Sequence, residues 1–284
     1  MRVVKSVKNM QRLALSYKRA GKKIGFVPTM GYLHEGHIAL IKRARKLADC
    51  LVVSIFVNPT QFVRGEDYET YPRDTLRDMK ILRQNKVDIL FLPSEKEMYG
   101  DDYKTWVEVK ELSDVLCGKY RPGHFRGVTT VVAKLFNIVM PDVAVFGEKD
   151  AQQAVIIKKM AEDLNFPVKI VTCKTVREKD GLACSSRNKY LTEEERKEAP
   201  VLYKALKLAK ELIKKGEKDP QKIKKEMQEL ITKMPHANIQ YIEIVDKRTL
   251  KPIKEIKGEV LIALACFFGK ARLIDNITVK VTSN

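Results

Sequence analysis

The sequence is poor in cysteine, and the spacing of its cysteines excludes two common kinds of small-domain scaffold. The five cysteines are an odd number, no two lie closer than 11 residues, and no Cys-x-x-Cys occurs. These features exclude a disulfide framework and a zinc ribbon. We therefore expect five reduced cysteines that are buried or incidental.

Long apolar runs are also absent. No stretch approaches the roughly 20 uninterrupted apolar residues that are needed to cross a bilayer. The longest runs, at 24–27, 51–57 and 260–268, are short or broken by polar residues. The first eight residues lack the apolar centre of a signal peptide. We therefore expect a cytoplasmic protein without a membrane segment.

Acidic residues are scarce relative to basic ones, with 36 Asp+Glu against 54 Lys+Arg and a formal net charge of +18. A basic surface attracts nucleic acid or anionic metabolites. The lysines are nevertheless dispersed, and at 204–215 they share a helical pattern with Leu and Ile that is typical of a solvated helix face. We expect no nucleic-acid partner. A hydrophobic fraction of 44% is sufficient for a core.

Up to about residue 175, short apolar runs alternate with segments of helical periodicity. The predicted strands are 24–27, 51–57, 87–92, 106–109, 143–146 and 168–173, and the predicted helices are 38–48, 72–84, 127–139 and 151–164. This alternation is typical of a doubly wound parallel sheet of the α/β class. Ligands bind at the carboxyl ends of the strands in such sheets, so the loops there are the places to look for chemistry.

The pattern changes after residue 175. Two lysine-rich helices are predicted at 192–215 and 220–234, and three apolar runs follow at 239–245, 260–268 and 272–279. Helices followed by strands with turn-like separators predict a smaller α+β domain with antiparallel strands. We therefore predict two domains, 1–175 and 176–284.

The first predicted strand ends in a loop that carries His34 and His37, two of only four histidines, at the start of a helix. A helix N-terminus offers N–H groups and positive potential to a phosphate, and Gly31 and Gly36 allow a ligand to approach the backbone. Histidines there could donate to phosphate oxygens as charge develops. Two alternatives are a metal site, which no further His, Cys or carboxylate cluster completes, and histidines without a functional role.

Two further loops carry polar groups that suit a nucleotide and a small acid. The amides of Asn58 and Gln61 suit a ligand with hydroxyl and carboxylate groups, although Asn-Pro also commonly ends a strand. Gly147 permits close approach to a ligand, and Lys149 is a flexible cation for a phosphate. Asp150 could accept from a ribose hydroxyl or cap the following helix, and the two roles are compatible.

Two more loops contain arginines. Ser185, Ser186 and Arg187 supply two hydroxyls and a planar guanidinium, which together suit a triphosphate tail. The loop at 121–127 contains two arginines, two glycines and His124 before a helix. Anion binding and plain loop rigidity fit this second loop equally well.

Five segments taken together resemble the pantoate–β-alanine ligase family, the pantothenate synthetases. They are Pro-Thr-Met-Gly-Tyr-Leu-His-Glu-Gly-His at 28–37, Phe-Val-Asn-Pro-Thr-Gln-Phe at 56–62, Arg-Pro-Gly-His-Phe at 121–125, Phe-Gly-Glu-Lys-Asp at 146–150 and Ser-Ser-Arg-Asn at 185–188. They occur in the family's order and spacing, and the likeness extends to Arg-Leu-Ile-Asp-Asn at 272–276. Each segment alone is moderately specific, whereas five in register are very specific.

The resemblance implies a Rossmann-like N-terminal domain, a smaller C-terminal lid domain and a homodimer. It implies that pantoate and ATP with Mg²⁺ form pantoyl adenylate and pyrophosphate, after which β-alanine displaces AMP to give pantothenate. The partners would then be pantoate, β-alanine and ATP, with Mg²⁺ held mainly by ATP and not by the protein. The family shares its His-x-x-His signature with class I aminoacyl-tRNA synthetases.

The same resemblance implies a role for individual residues. The implied catalytic residues are His34, His37, Lys149 and Arg187. The implied ATP-binding residues are Met30 through its backbone, His34, His37, Gly147, Lys149, Asp150, Val176 through its backbone, Ser185, Ser186 and Arg187. The implied pantoate-binding residues are Asn58, Gln61 and Gln153.

Three other functions remain open on the sequence alone. A sister adenylyltransferase with a phosphopantetheine-type or nicotinamide mononucleotide substrate is one, and the amides of Asn58, Gln61 and Gln153 argue against it. A nucleic-acid-binding protein is the second, which the charge of +18 favours. The third, an inactive relative that serves as a scaffold, is disfavoured because every implied site residue is present.

Overall fold

The computed structural model describes residues 1–281, which divide into two compact units. The first unit comprises residues 1–113, 121–148 and 153–174. The second comprises residues 114–120, 149–152 and everything from 175 onward. The chain therefore passes into the second unit twice before the C-terminal segment begins.

The first unit is built on a parallel sheet of six strands. They are β1 (Arg2–Val4), β2 (Ile24–Thr29), β3 (Cys50–Ile55), β4 (Ile89–Phe91), β5 (Val143–Gly147) and β6 (Lys169–Cys173). Their order in the sheet is β1-β4-β3-β2-β5-β6, and every pairing is parallel. The chain moves outward from β2 to β3 and β4, and then resumes on the other side of β2 with β5. The switch point thus lies between the carboxyl ends of β2 and β5, where ligands bind in such sheets. The predicted α/β class is confirmed.

The central strands read as continuous apolar runs because both faces of a parallel sheet are covered. All six residues of β3 are buried, and so are five of the six in β2. The helices α1 (Val7–Arg19), α2 (Glu35–Arg45), α3 (Thr75–Gln84), α4 (Glu95–Met98), α5 (Cys117–Tyr120), α6 (His124–Val139) and α7 (Ala151–Asp163) accompany the strands. Short 3-10 helices lie at Pro59–Gln61, Glu148–Asp150 and Ser186–Tyr190.

The second unit contains an antiparallel sheet and, besides the short α5 in its segment 114–120, three longer helices. The helices are α8 (Glu193–Glu198), α9 (Val201–Lys214) and α10 (Pro220–Ile231), and the strands are β7 (Ala237–Asp246), β8 (Gly258–Phe268) and β9 (Ala271–Val281) in the order β7-β8-β9. The apolar faces of α9 and α10 form a buried core with the sheet, to which Leu206, Met227 and Ile262 belong. The lysines of these helices are therefore left on the outer faces, as the helical pattern predicts.

Several predicted elements are wrong in detail. No strand forms at 106–109, because the backbone of Val107 bonds to threonine side chains: its N–H donates to Thr130 Oγ1 at 3.0 Å, and its carbonyl accepts from Thr129 Oγ1 at 2.6 Å. The predicted helix at 192–215 is two helices, α8 and α9, divided at Pro200, which has no N–H to donate.

The helix predicted from residue 72 begins at Thr75, because the Asp74 side chain accepts from the N–H of Arg77 and caps the helix there. The sequence pattern also did not reveal β1 or α1, which precede the first predicted strand. No helix within residues 1–281 is both long enough and apolar enough to cross a membrane.

Candidate functional site

The loop between β2 and α2 has an unusual backbone that a buried carboxylate holds in place. Gly31 has a φ of +85° and Tyr32 a φ of +49°, so two successive residues are left-handed. Asp78, on α3, accepts the N–H of Tyr32 at 2.7 Å and that of Leu33 at 2.8 Å. Burial raises the pKa of Asp78 above its usual value, although these two N–H donors and Arg77 act in the opposite direction. The loop therefore depends on a carboxylate 45 residues away in the sequence.

His34 and His37 lie side by side at the N-terminus of α2. Their ring centroids are 4.1 Å apart. His34 is the N-cap, and its Nδ1 accepts the N–H of Gly36 at 3.1 Å. The Nδ1 of His37 lies 3.3 Å from the main-chain nitrogen of His34, so each histidine helps to cap the helix.

These contacts determine which ring nitrogen carries the proton. A ring nitrogen that accepts an N–H has no proton of its own, so Nδ1 of both His34 and His37 is the bare nitrogen. Each neutral ring therefore carries its proton on Nε2. The pair thus presents two Nε2–H donors at a helix end that attracts anions.

The pantoate-binding candidates Asn58 and Gln61 form one cluster with Met30. Asn58 Nδ2 donates to Gln61 Oε1 at 3.1 Å and to the carbonyl of Gly127 at 3.2 Å. Gln61 Nε2 lies 3.1 Å from the sulfur of Met30. Asn58 Oδ1 accepts from the hydroxyl of Tyr99 at 2.8 Å. Burial raises the pKa of Tyr99 to about 12, so its hydroxyl stays protonated and remains a donor at neutral pH.

Gly147 ends β5 at the other side of the switch point. An ideal Cβ built at Gly147 would meet no heavy atom within 4 Å among the described residues, and its φ is not left-handed. The fold itself therefore does not require glycine at this position. The sequence predicts that a ligand approaches the backbone at this position. Gln153, near the start of α7, is partly exposed, whereas its neighbour Gln152 is buried and bonds the backbone at Val115 and Cys117.

In the second unit, Lys149 lies close to the serine-rich loop. Lys149 and Ser185 line one small cavity together with Asp275. The carbonyl of Lys149 accepts from Asn276 Nδ2 at 2.8 Å, which ties this segment to β9. Lys149 Nζ lies 3.8 Å from Asp150 Oδ1, a distance too long for a hydrogen bond. Asp150 is therefore only a weak carboxylate partner of the Lys149 ammonium.

The loop that carries Ser185, Ser186 and Arg187 is braced from both sides. Ser185 Oγ accepts the N–H of Arg187 at 3.2 Å and caps the short 3-10 helix. Arg177 forms a two-pronged ion pair with Asp275, at 2.5 and 2.9 Å, and lies 3.7 Å over the ring of Tyr203. The loop base is therefore rigid, because a bidentate Arg–carboxylate pair fixes both partners in orientation.

Val176, the predicted adenine contact, lies at the base of the same loop. Its carbonyl accepts the N–H of Cys184 at 2.9 Å. A carbonyl oxygen has two lone pairs, so a second donor can still bind there.

No group of three or more His, Cys, Asp or Glu side chains within residues 1–281 is arranged to hold a metal ion.

Sequence reasoning missed the residues that hold the site in place. Asp78 gave no signal, because nothing in its local pattern separates it from other surface-helix aspartates. Tyr99 likewise follows an ordinary acidic stretch. Asp275 and Asn276 lie in a segment that contributed to the family resemblance but had no role assigned to it.

Comparison with known proteins gives a consistent result. The family model described as pantoate–β-alanine ligase matches residues 2–278. The pantothenate synthetases of Caldicellulosiruptor bescii and Acetivibrio thermocellus are each 56% identical to the chain, over 99% of it and 99% and 100% of their own lengths.

Solved structures agree with the sequence relatives. Pantothenate synthetase from Thermus thermophilus superposes with a TM-score of 0.92 at 45% identity, covering 98% of this chain and 99% of that one. Pantoate–β-alanine ligase from Francisella tularensis, complexed with β-γ ATP and β-alanine, gives a TM-score of 0.81 at 39% identity, covering 98% and 97%.

Proposed function

The chain belongs to the pantoate–β-alanine ligase family, and on that premise we propose how its own residues carry out the reaction. The enzyme uses ATP to condense pantoate with β-alanine, through a pantoyl adenylate, and releases pyrophosphate and AMP. The observation that carries the residue assignment is the pair of Nε2–H donors of His34 and His37 at the N-terminus of α2.

In the first step, a carboxylate oxygen of pantoate attacks the α-phosphorus of ATP. The bond from that phosphorus to the oxygen bridging the α- and β-phosphates breaks, and pyrophosphate leaves. No proton need be removed, because the carboxylate is already ionised. Catalysis therefore requires orientation and donors for the charge that develops on the phosphate oxygens. We assign the donors to His34 and His37 and the positioning of the triphosphate to the backbone of Met30.

Pantoate carries two hydroxyls and a carboxylate, and it needs both donors and acceptors. We assign the hydroxyls and carboxylate to Gln61 and Gln153, with Asn58 beside Gln61. The 3.1 Å hydrogen bond from Asn58 to Gln61 supports this assignment, because it orients both amides before a substrate binds. A carboxamide that is already oriented loses little side-chain entropy when the substrate binds.

The second unit supplies cations and hydroxyls for the nucleotide. We assign the phosphates to Lys149, Ser185, Ser186 and Arg187, and the ribose to Asp150. The backbone of Val176 is assigned to the adenine edge, and Gly147, in the first unit, to close approach of the nucleotide. The ion pair between Arg177 and Asp275 supports these roles, because it holds the base of the loop that carries the proposed phosphate-binding residues.

Mg²⁺ enters the proposal as a companion of ATP. The described residues contain no His, Cys or carboxylate cluster of three that could form a protein metal site. We therefore propose that the phosphates hold the ion and that the protein contacts the complex through the donors named above. Mg²⁺ prefers oxygen ligands and keeps several waters, which suits a phosphate-bound ion.

In the second step, the free amine of β-alanine attacks the acyl carbon of pantoyl adenylate, and AMP leaves with the bonding electrons. The amine then loses a proton to water or to the departing phosphate.

We also propose a homodimer, which the family resemblance favours. Sedimentation equilibrium of the full chain tests it: a mass near 65 kDa is expected, twice the 32.6 kDa of one chain, and a single-chain mass at all concentrations would contradict it.

The reaction is tested by following pyrophosphate and AMP separately. With ATP, Mg²⁺ and pantoate, we expect pyrophosphate release that stops after about one turnover per site. Addition of β-alanine should start continuous release of AMP and pantothenate. Nicotinamide mononucleotide in place of pantoate serves as the control acceptor. Release of pyrophosphate with the control but not with pantoate would move the chain to a sister adenylyltransferase.

A further inference from the structure

The motif at 121–127, to which the reaction assigns no role, is connected directly to Gln61. His124 is the first residue of α6 and is buried. Its Nδ1 lies 2.6 Å from the main-chain carbonyl oxygen of Gln61, and its Nε2 lies 2.9 Å from Nη1 of Arg121. One imidazole thus bridges a guanidinium and the backbone of a proposed pantoate residue.

The chemistry of the two neighbours determines the protonation of His124. A guanidinium can only donate and a carbonyl can only accept. The ring must therefore carry its proton on Nδ1 and present a lone pair on Nε2. His124 is thus a neutral ring with a defined direction of hydrogen bonding.

Arg121 is itself held in place. Its Nε and Nη2 donate to the two carboxylate oxygens of Glu66 at 2.5 and 2.6 Å. Their side chains are only 12% and 19% exposed. A bidentate pair that is largely shielded from water is strong and directional. Glu66 thus holds Arg121, and Arg121 holds the ring of His124. The Nδ1–H of that ring donates to the main-chain carbonyl of Gln61.

The carbonyl of Gln61 accepts its short hydrogen bond from His124 Nδ1, at 2.6 Å, and a longer one from Arg121 Nη2, at 3.4 Å. Gln61 is the last residue of the 3-10 helix Pro59–Gln61, and the chain becomes extended at Phe62, with a ψ of 131°. A carbonyl at a helix end has no partner within the helix. The other side of this turn is also tied to α6, because an added Cβ at Gly127 would lie 2.2 Å from the carbonyl oxygen of Thr60. The turn is therefore held against the first turn of α6.

We propose that His124 is a positioning residue for pantoate, acting through the main chain of Gln61. The relay from Glu66 through Arg121 fixes the Nδ1–H donor, and that donor fixes the turn that carries the carboxamide. This proposal rests on the assignment of Gln61 to pantoate. His124 does not itself contact the substrate in this account.

Two substitutions test the two hydrogen bonds of the His124 ring separately. His124→Asn keeps an N–H at the position of Nδ1, whereas His124→Gln keeps an acceptor at the position of Nε2 and loses the donor to Gln61. We expect His124→Gln to raise the KM for pantoate about 5- to 10-fold, the factor expected for one lost hydrogen bond. The KM for ATP should change less than about 2-fold. His124→Asn should recover most of the affinity for pantoate.

The control is His236→Ala, which removes an exposed histidine paired with Glu198. It should leave the KM for pantoate unchanged. A thermal melt of each variant shows whether it is folded. A His124→Gln enzyme that melts earlier but has a wild-type KM for pantoate would overturn the proposal, because it would assign the network to stability alone. Equal effects of Asn and Gln would also overturn it.

A double-variant cycle distinguishes this failure from failure of the Gln61 assignment. If His124 acts through Gln61, His124→Gln should add little to the KM effect of Gln61→Ala. Independent effects that multiply would contradict the relay while leaving Gln61 as a pantoate residue. A Gln61→Ala variant with an unchanged KM would remove the assignment itself. The ligase reaction is established separately by the wild-type assay.

Discussion

The Oδ2 atom of Asp78 lies 2.7 Å from the main-chain nitrogen of Tyr32. Tyr32 has a left-handed backbone conformation and precedes His34 by two residues. The other carboxylate oxygen accepts from Leu33. A left-handed residue other than glycine is strained unless its surroundings hold it there. Asp78 supplies that restraint, so the position of the histidine pair depends on one side chain of α3.

Asp78→Asn should therefore affect both stability and adenylation. The amide offers one acceptor oxygen and turns an NH₂ group toward the second N–H, leaving it unsatisfied. We expect the free energy of unfolding to fall by about 2 kcal/mol and pyrophosphate release to slow as the loop relaxes. Urea denaturation and the pyrophosphate assay measure the two effects.

The control for this variant is Asp74→Ala on the same helix. It removes the N-cap of α3 and should cost about 1 kcal/mol, while the Asp78 acceptors for the N–H groups of Tyr32 and Leu33 stay in place. If Asp78→Asn adenylated pantoate as fast as Asp74→Ala, the proposed restraint would be wrong.

The fold could be predicted where the periodicity was long. The buried runs of β2, β3 and β5 and the alternating helices indicated a parallel sheet, because a strand covered on both faces is predominantly apolar. The break at Pro200 and the threonine contacts of Val107 could not be predicted, because they depend on which side chains tertiary packing brings close.

The candidate site divides in the same way. His34, His37, Asn58 and Gln61 could be predicted as candidates because they follow strands in short, distinctive loops. Asp78, Arg177 and the Glu66–Arg121 pair were not assigned, since each acts through a partner at least 45 residues away. The sequence suggests candidate ligand-binding groups more readily than it suggests the groups that hold them in position.

His37→Ala should lower the rate of adenylation by about 10²- to 10³-fold, the cost of one lost transition-state donor. His37→Gln is the matched variant, because its amide places an N–H near the position of Nε2. We expect the glutamine enzyme to be faster than the alanine enzyme in single-turnover pyrophosphate release. Wild-type rates in the alanine variant would exclude the donor role.

Arg187→Ala should weaken the use of ATP. Loss of a charge-assisted contact to the phosphates should raise the KM for ATP about 10- to 100-fold. Lys189→Ala is the control, because Lys189 is an exposed cation on the same 3-10 helix. Initial rates at varied ATP concentration give the KM for ATP of each variant. Equal increases of this KM in the two variants would indicate an effect of the net positive charge and not a specific contact of Arg187 with the phosphates.

Gly147→Ala should separate stability from nucleotide binding. The added methyl group meets no neighbour within 4 Å among residues 1–281, and the backbone there is not left-handed. The variant should therefore be as stable as the wild type or up to about 1 kcal/mol more stable, because alanine restricts the unfolded chain. If the nucleotide approaches the backbone here, the KM for ATP should rise several-fold. An unchanged KM for ATP would show that Gly147 does not contact the nucleotide.

Asp142 should make the first unit sensitive to acid. Burial acts to raise the pKa of Asp142, but the hydrogen bonds from Lys18 and from the N–H of Ile24, and the charges of Lys18 and Lys23, outweigh it, so its pKa is lowered. A depressed pKa in the folded state means that the carboxylate stabilises the fold above its unfolded pKa of 3.8. That contribution is lost as the pH falls below this value and through the folded pKa.

Thermal melts of the wild type and Asp142→Asn at pH 7 and at pH 3 test this dependence. The asparagine variant should melt earlier at pH 7, because the ion pair with Lys18 and an acceptor for the start of β2 are both weakened. The difference between the two proteins should shrink at pH 3, below the unfolded pKa of 3.8, because the carboxylate of the unfolded wild type is then largely protonated. Since other carboxylates titrate in the same range, only the difference between the proteins reports on Asp142. A difference that was equal at both pH values would show that its ionisation contributes nothing to the fold.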